Sequence, residues 1–390
     1  MVRRTTRFAQ CPVEELLRSR AVRARWRAGV AAAGIAAVVG LVGWAVFPAH
    51  SDPSRPAAGR TDPGLTQASR PQPSQSLPSG PVPRSSTPGS QSPSPTPRAT
   101  PTGTGPHGAG ALTSGLRLGV FTAGQPLASF DSQVGPAALV VSYVVWGTPD
   151  RWLARVIAAA AANHAEPILE LYPGAFGHNA SQIAAGSGGS DAWLRSLGQT
   201  IARVGDPVVI SFFPEMNGRW RAWWSQSPAI YVRAFRHVHQ VLSSRAGSLI
   251  TWFWQPSAMH NSNADPMPWW PGRGYADVVA FDGYYYFPHD TFDAIFGATI
   301  RIIRRADPAI PIMIGETAAG PVYGRQAWEI NNLFAGVRSH HLLGLVWFNR
   351  TQHMQPYQFH QDWRLQDHTA ALAAFRACLA RYGPLARLTT

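Results

Sequence analysis

The sequence predicts an α/β chain: a (β/α)8 TIM barrel preceded by a transmembrane helix and a disordered Pro/Ser/Thr-rich linker. Three observations carry this. After Ser114, eight short apolar runs alternate with segments of helical spacing. Residues 28–47 contain no charged side chain, and residues 48–113 hold fifteen prolines with almost no large apolar groups. With 390 residues, 45% of them hydrophobic and 15 of them tryptophan, the chain can bury a sizeable core, so a wholly disordered protein is excluded.

The first element is an Arg-rich segment, residues 1–27, with eight Arg against two acids. It precedes the 20 uncharged residues Ala28 to Phe47, long enough as a helix to span a hydrocarbon core of about 30 Å. Cationic flanks stay in the cytoplasm, so the N-terminus is expected inside and everything after Phe47 outside the cell membrane. A cleaved signal peptide is the alternative, but the apolar run is long for one and Phe47-Pro48-Ala49-His50 offers no small-x-small cleavage site. Residues 48–113 cannot repay the entropy of folding and read as an extended, partly polyproline tether.

Charge is uneven along the chain. The formal net charge of +13 divides into +6 over residues 1–27, +3 over 48–113 and +4 from 114 onward. The globular part is therefore nearly balanced, which argues against nucleic acid as a partner, and the use of Arg for every basic residue reflects a GC-rich genome and not a nucleic-acid-binding face. Two cysteines, Cys11 and Cys378, are too few for a disulfide framework, a zinc ribbon or an iron–sulfur cluster.

From 114 to 390 the strand candidates are Leu116–Thr122, Ala138–Trp146, Pro167–Tyr172, Val208–Phe213, Leu249–Trp254, Val278–Tyr284, Ile312–Glu316 and Leu343–Phe348. Their near-continuous Val/Ile/Leu/Phe content fits strands buried on both faces. Helical spacing and start signals mark Pro149–Ala162, Ser190–Val204, Ser227–Ser244, Thr291–Ala306, Arg325–Ser339 and Asp367–Tyr382, with Ser227 placed to cap and Pro228 suited to a first turn. The crossover at 126–135 is the least helical. Eight such units in about 275 residues match a (β/α)8 barrel. A doubly wound open sheet is the runner-up, but Val120-Phe121-Thr122-Ala123-Gly124 lacks a dinucleotide fingerprint.

In such a barrel, catalytic groups project from the C-terminal ends of strands. Two carboxyl groups stand there: Glu215, just past the fourth strand, and Glu316, at the end of the seventh. A carboxylate at an apolar strand end costs free energy unless it is paired, so each is either a structural ion pair or part of a chemical device. Glycoside hydrolysis is one such device: one carboxyl protonates the leaving oxygen and a second, about 5–5.5 Å away, attacks the anomeric carbon. Trp146, Trp220, Trp254 and Trp347 lie at or near strand ends, where flat rings can pack on the C–H faces of sugars or simply belong to the core. His237 and His239 lie two apart on a helix and do not share a face, and His340-His341 suits a helix C-terminus. Without a G-x-S-x-G elbow or an H-E-x-x-H helix, serine hydrolase and zinc protease readings have no support.

The run Pro-Glu-Met-Asn-Gly-Arg-Trp-Arg-Ala-Trp-Trp at 214–224 resembles the His-Glu-Met-Asn-Gly-x-Trp-x-x-Trp signature of glycoside hydrolase family 26. In the family's order, Trp254-Gln255-Pro256-Ser257 resembles its fifth-strand Trp-x-Pro-Asn segment, the run 277–284 its sixth strand, and Ile314-Gly315-Glu316-Thr317 its nucleophile strand. The resemblance implies a retaining barrel enzyme acting on β-linked polysaccharides of β-glucan or β-mannan type, with no metal and no cofactor. It implies Glu215 as general acid/base, Glu316 as nucleophile and Tyr284 as the tyrosine that hydrogen-bonds the nucleophile, with Asn217 and Asp282 as further positioning or substrate-binding groups.

One departure matters: the family carries His directly before the acid/base, and this chain has Pro214, whose ring removes both donors. That contact is then missing or supplied elsewhere, for instance by His178 or His260. The leading expectation is a membrane-anchored, extracytoplasmic β-glycanase. A second is a tethered, catalytically weak carbohydrate-binding protein on the same barrel. A third is a partner of a polysaccharide-synthesis or cell-wall complex at the membrane.

Overall fold

The computed structural model describes residues 116–173, 179–187, 189–220, 227–354 and 359–382. The predicted Arg-rich segment, anchor helix and linker lie outside the described residues, as do His178, Trp223 and Trp224. Among the described residues no helix is long and apolar enough to cross a membrane.

Eight parallel strands close on themselves in sequence order. They are β1 (Arg117–Phe121), β2 (Leu139–Val145), β3 (Glu166–Tyr172), β4 (Val208–Phe212), β5 (Ile250–Trp254), β6 (Val278–Asp282), β7 (Ile312–Thr317) and β8 (Gly344–Phe348). The barrel is sealed by five registered pairs from Arg117↔Gly344 to Phe121↔Phe348, which rules out the open-sheet alternative. Two glycines permit this seam: a Cβ on Gly119 would meet Val346 Cγ2 at 2.7 Å, and one on Gly344 would collide with the Arg117 carbonyl. A small hairpin, β9 (Thr351–Met354) with β10 (Phe359–Asp362), follows β8 and was not evident from the sequence.

The helices are α1 (Leu127–Gln133), α2 (Asp150–Ala162), α3 (Ala180–Ala184), α4 (Ser190–Val204), α5 (Pro228–Ala246), α6 (Met259–Ser262), α7 (Ala298–Ala306), α8 (Gln326–Ser339) and α9 (Thr369–Tyr382). The weakly patterned first crossover is the short α1, with Leu127 and Phe130 buried. Ser227 caps α5 by accepting from the Ile230 N–H, with Pro228 in the first turn as its fixed φ favours. The helix α4 stops at Gly205, whose φ of 81° is open to glycine at little cost.

Both faces of the strands are buried. Outward-facing Trp252 packs on Phe235 and His239 of α5, and Trp347 packs edge-to-face on Phe375 of α9 at 5.2 Å. Each such large apolar side chain contributes about 1.5–3 kcal/mol by leaving water. The register between β6 and β7 shifts at Phe281/Asp282, and that between β7 and β8 shifts between Ile314 and Thr317, so Asp282 comes to sit opposite Glu316. Gly315 allows this approach, since a Cβ there would lie 2.6 Å from Asp282 Oδ1. Backbone irregularity at the end of β7 thus aims Glu316 into the mouth of the barrel.

Candidate active site

The two sequence-identified carboxyl groups occupy the C-terminal mouth of the barrel, and both are buried, Glu215 at 6% and Glu316 at 4% exposure. Glu316 is gripped on both oxygens. Tyr284, just past β6, donates to Oε2 at 2.6 Å, and Tyr143 of β2 donates to Oε1 at 2.7 Å. Burial, followed by the Glu316 charge, pushes both phenols well above the ordinary tyrosine range, so each remains a protonated donor. Tyr284 is backed by the Trp363 ring, stacked at 4.9 Å, and Tyr143 packs on Phe121 at 4.7 Å.

Glu215 sits in a strained turn. Pro214 is flanked by Phe213 at φ 45° and Glu215 at φ 55°, a left-handed region that non-glycine residues enter at a cost of about 1–3 kcal/mol each. The turn is held because the Glu215 N–H donates to the Gln255 carbonyl at 2.7 Å and its own carbonyl accepts from Gly218 at 2.8 Å. Its carboxylate Oε2 accepts from the Trp220 indole at 3.1 Å.

Beneath the pair lies a polar layer. The Gln255 amide donates to Glu170 Oε1 at 3.0 Å and to both Asp282 oxygens at 3.1 and 3.2 Å, while the Tyr172 hydroxyl donates to Glu170 Oε2 at 2.8 Å. Burial, then the charges of Glu316, Glu215 and Glu170, drive the Asp282 carboxyl well above the usual carboxylate range.

Several sequence expectations need correction. Trp347 is fully buried, donates its indole N–H to the Trp363 carbonyl at 2.9 Å and faces α9, so it is core and not a sugar platform. Trp254 is also fully buried, on the outward face of β5 against Trp270. Outward parity at these strand ends decided both. Trp146 is packed between Trp193 and the Phe212–Phe213 pair. Trp220 turns its polar edge to Glu215. Asn217 is saturated: Nδ2 donates to Ser257 O, Ser262 Oγ and Ala264 O, and Oδ1 accepts from Ser257 N–H, so it ties the β4 turn to the β5 loop. His260 lies 3.4 Å from Asp290 Oδ1.

Sequence reasoning missed Tyr143, Glu170, Gln255 and Trp363. Glu170 did carry a signal, as an acid in the apolar run Pro-Ile-Leu-Glu-Leu-Tyr, and inward parity along β3 would have placed it with Tyr172. Among the described residues no group of three or more His, Cys, Asp or Glu could hold a metal ion.

A closed parallel barrel with two buried carboxyl groups at its C-terminal mouth is an arrangement suited to the O-glycosyl hydrolase class. Within that class, the family model described as Glycosyl hydrolase family 26 matches residues 192–319, which span Glu215 and Glu316, and the family resemblance read from the 214–224 motif holds. Among solved structures, the chain is similar to a double mutant of the Cellulomonas fimi endo-β-1,4-mannanase, with 16% identity, 68% of this chain and 71% of that chain covered, and TM-score 0.53. It is similar to a GH26 β-mannanase from Bacteroides ovatus, with 14% identity, 71% and 93% coverage, and TM-score 0.53. It also resembles the catalytic domain of the GH26 endo-β-1,4-mannanase of Bacillus sp. JAMB-750, with 12% identity, 70% and 87% coverage, and TM-score 0.52. These likenesses show the fold. No curated protein sequence matches the chain.

Proposed function

We propose that the chain hydrolyses a β-linked polysaccharide, of β-mannan or β-glucan type, with Glu316 as nucleophile and Glu215 as general acid/base. The observation that carries this reading is the two-sided grip of Tyr143 and Tyr284 on Glu316, which orients an ionised carboxylate without consuming its charge. In the first step a Glu316 oxygen bonds to the anomeric carbon as the glycosidic bond breaks, and Glu215 gives its proton to the leaving oxygen. In the second step Glu215 takes a proton from water, which displaces Glu316 with net retention. The Trp220 N–H steadies the proton-transfer carboxyl through both steps.

The Arg-rich segment 1–27, the apolar run 28–47 and the linker 48–113 support a catalytic domain tethered outside the cell membrane. The 66-residue linker has a reach of roughly 40–50 Å as a flexible coil, enough to work at a distance from the bilayer. Pro214 favours a second reading, a tethered carbohydrate-binding protein of weak activity, because it removes a donor beside the acid/base.

Reducing-sugar release by the purified full chain decides between them, on β-mannan, mixed-linkage β-glucan, β-1,3-glucan, β-xylans and cellulose, beside Glu316→Ala. Release from one polymer, abolished in the folded variant, supports the enzyme. Binding without release supports the second reading.

A further inference from the structure

We propose that Tyr143 is a positioning residue for the reaction: its hydroxyl fixes the plane of the Glu316 carboxylate and holds that group ionised. This rests on the reading of Glu316 as nucleophile. A carboxylate on a Glu side chain rotates about its last bond, and one donor leaves that rotation open. Here the donors come from opposite sides of the barrel mouth, Tyr284 from the end of β6 onto Oε2 and Tyr143 from β2 onto Oε1, across 173 residues of sequence. Two donors on two oxygens define a plane, and only one orientation presents a lone pair to an incoming anomeric carbon.

Tyr143 is itself fixed. Its ring lies on Phe121 at 4.7 Å and meets the edge of Tyr172 at 5.3 Å, and the Tyr172 hydroxyl is anchored on Glu170 Oε2 at 2.8 Å. The chain Glu170–Tyr172–Tyr143–Glu316 therefore transmits the geometry of β3 to the nucleophile. The groups facing this phenol electrostatically are Glu316, Tyr172, Glu170 and Tyr284. The charges of Glu316, Glu215 and Glu170 all act on buried Asp282, so Glu316 shares a site in which like charge opposes ionisation. A charge-assisted phenol donor on each oxygen opposes that effect.

The test is Tyr143→Phe in the full chain, assayed on whichever of β-mannan, mixed-linkage β-glucan or β-1,3-xylan the wild type cleaves fastest. The expected result is a kcat lower by about 100-fold with KM within about threefold of wild type. The acid limb of kcat/KM against pH should move to higher pH, because loss of the donor favours protonated Glu316. Incorporation of 3-fluorotyrosine at 143, which keeps volume and donor, should restore both. A kcat near wild type, or a loss of kcat with an unmoved acid limb, overturns the inference while leaving the enzymatic reading standing. No cleavage of any polymer by the wild type overturns both. Should Tyr143→Phe fail to fold, the 3-fluorotyrosine protein decides by its acid limb: the more acidic phenol donates more strongly to Glu316, so the limb should lie at or below the wild-type position, and a limb moved to higher pH contradicts the proposal.

Discussion

Trp220 folds back across Gly218 so that its indole N–H reaches Glu215 Oε2 at 3.1 Å, and Glu215 itself ends the strained turn around Pro214. Gly218 makes room for that fold: a Cβ there would lie 2.5 Å from the Trp220 ring. In a chain that carries Pro214 where the resembled signature has His, the indole supplies a side-chain donor to Glu215.

Trp220→Phe is therefore expected to lower kcat by about 10- to 100-fold, the range for a lost hydrogen bond to a charged group. Gly218→Ala should act in the same direction while leaving the indole present, because it displaces the ring. Steady-state kinetics on the cleaved polymer check both, and a Gly218→Ala enzyme with unchanged kcat would contradict the geometry.

Glu215→Ala should remain able to form the glycosyl-enzyme from a dinitrophenyl β-glycoside, whose leaving group needs no proton. Added azide should then restore turnover and give a β-glycosyl azide, since the open space beside the anomeric carbon admits a small anion. Product configuration by NMR is the readout. An α-configured azide would exclude a double displacement.

Burial, then the charges of Glu316, Glu215 and Glu170, push the Asp282 carboxyl well above the usual carboxylate range. Its raised folded-state pKa means that its contribution to stability is fully present below the unfolded carboxylate value and fades as pH rises. Asp282→Asn removes that loss while keeping the shape, so it should melt no lower than wild type at pH 8. Asp282→Leu should be destabilised by about 1–3 kcal/mol, because it leaves the Gln255 amide short of an acceptor. Thermal melts across pH distinguish these outcomes.

Much of this was legible in sequence. The eight strands were read from apolar runs, to within two residues at each end, and Glu215, Glu316 and Tyr284 were singled out because strand ends and a motif point at them. The tryptophans were harder. Trp254 and Trp347 sit on strands buried on both faces, where alternation of polarity is absent and nothing in the sequence tells inward from outward. Tyr143, a partly buried residue of β2, carried no signal of its own either. Its role exists only once β2 is closed against a sheet whose seventh strand lies far away in sequence.

Glu329 on α8 lies away from these groups and is pushed up to about 7, first by burial and then by Asp290, with Arg325 opposing. Stability should thus decline as pH rises from about 4.5 to about 7, by about 1–3 kcal/mol once solvent screening is allowed for. Glu329→Gln should flatten this window. Melting curves of the two proteins from pH 4 to 8 must converge at the acid end and separate, variant higher, at the neutral end.

The central claim is that Glu316 is the nucleophile. Incubation of the full chain with a dinitrophenyl 2-deoxy-2-fluoro-β-glycoside of the cleaved sugar, followed by peptide mass spectrometry, measures it directly. The account predicts one covalent sugar per chain, on the peptide containing Glu316, and none in Glu316→Ala. A label on Glu215, Glu170 or Asp282, or turnover by Glu316→Ala, would contradict it.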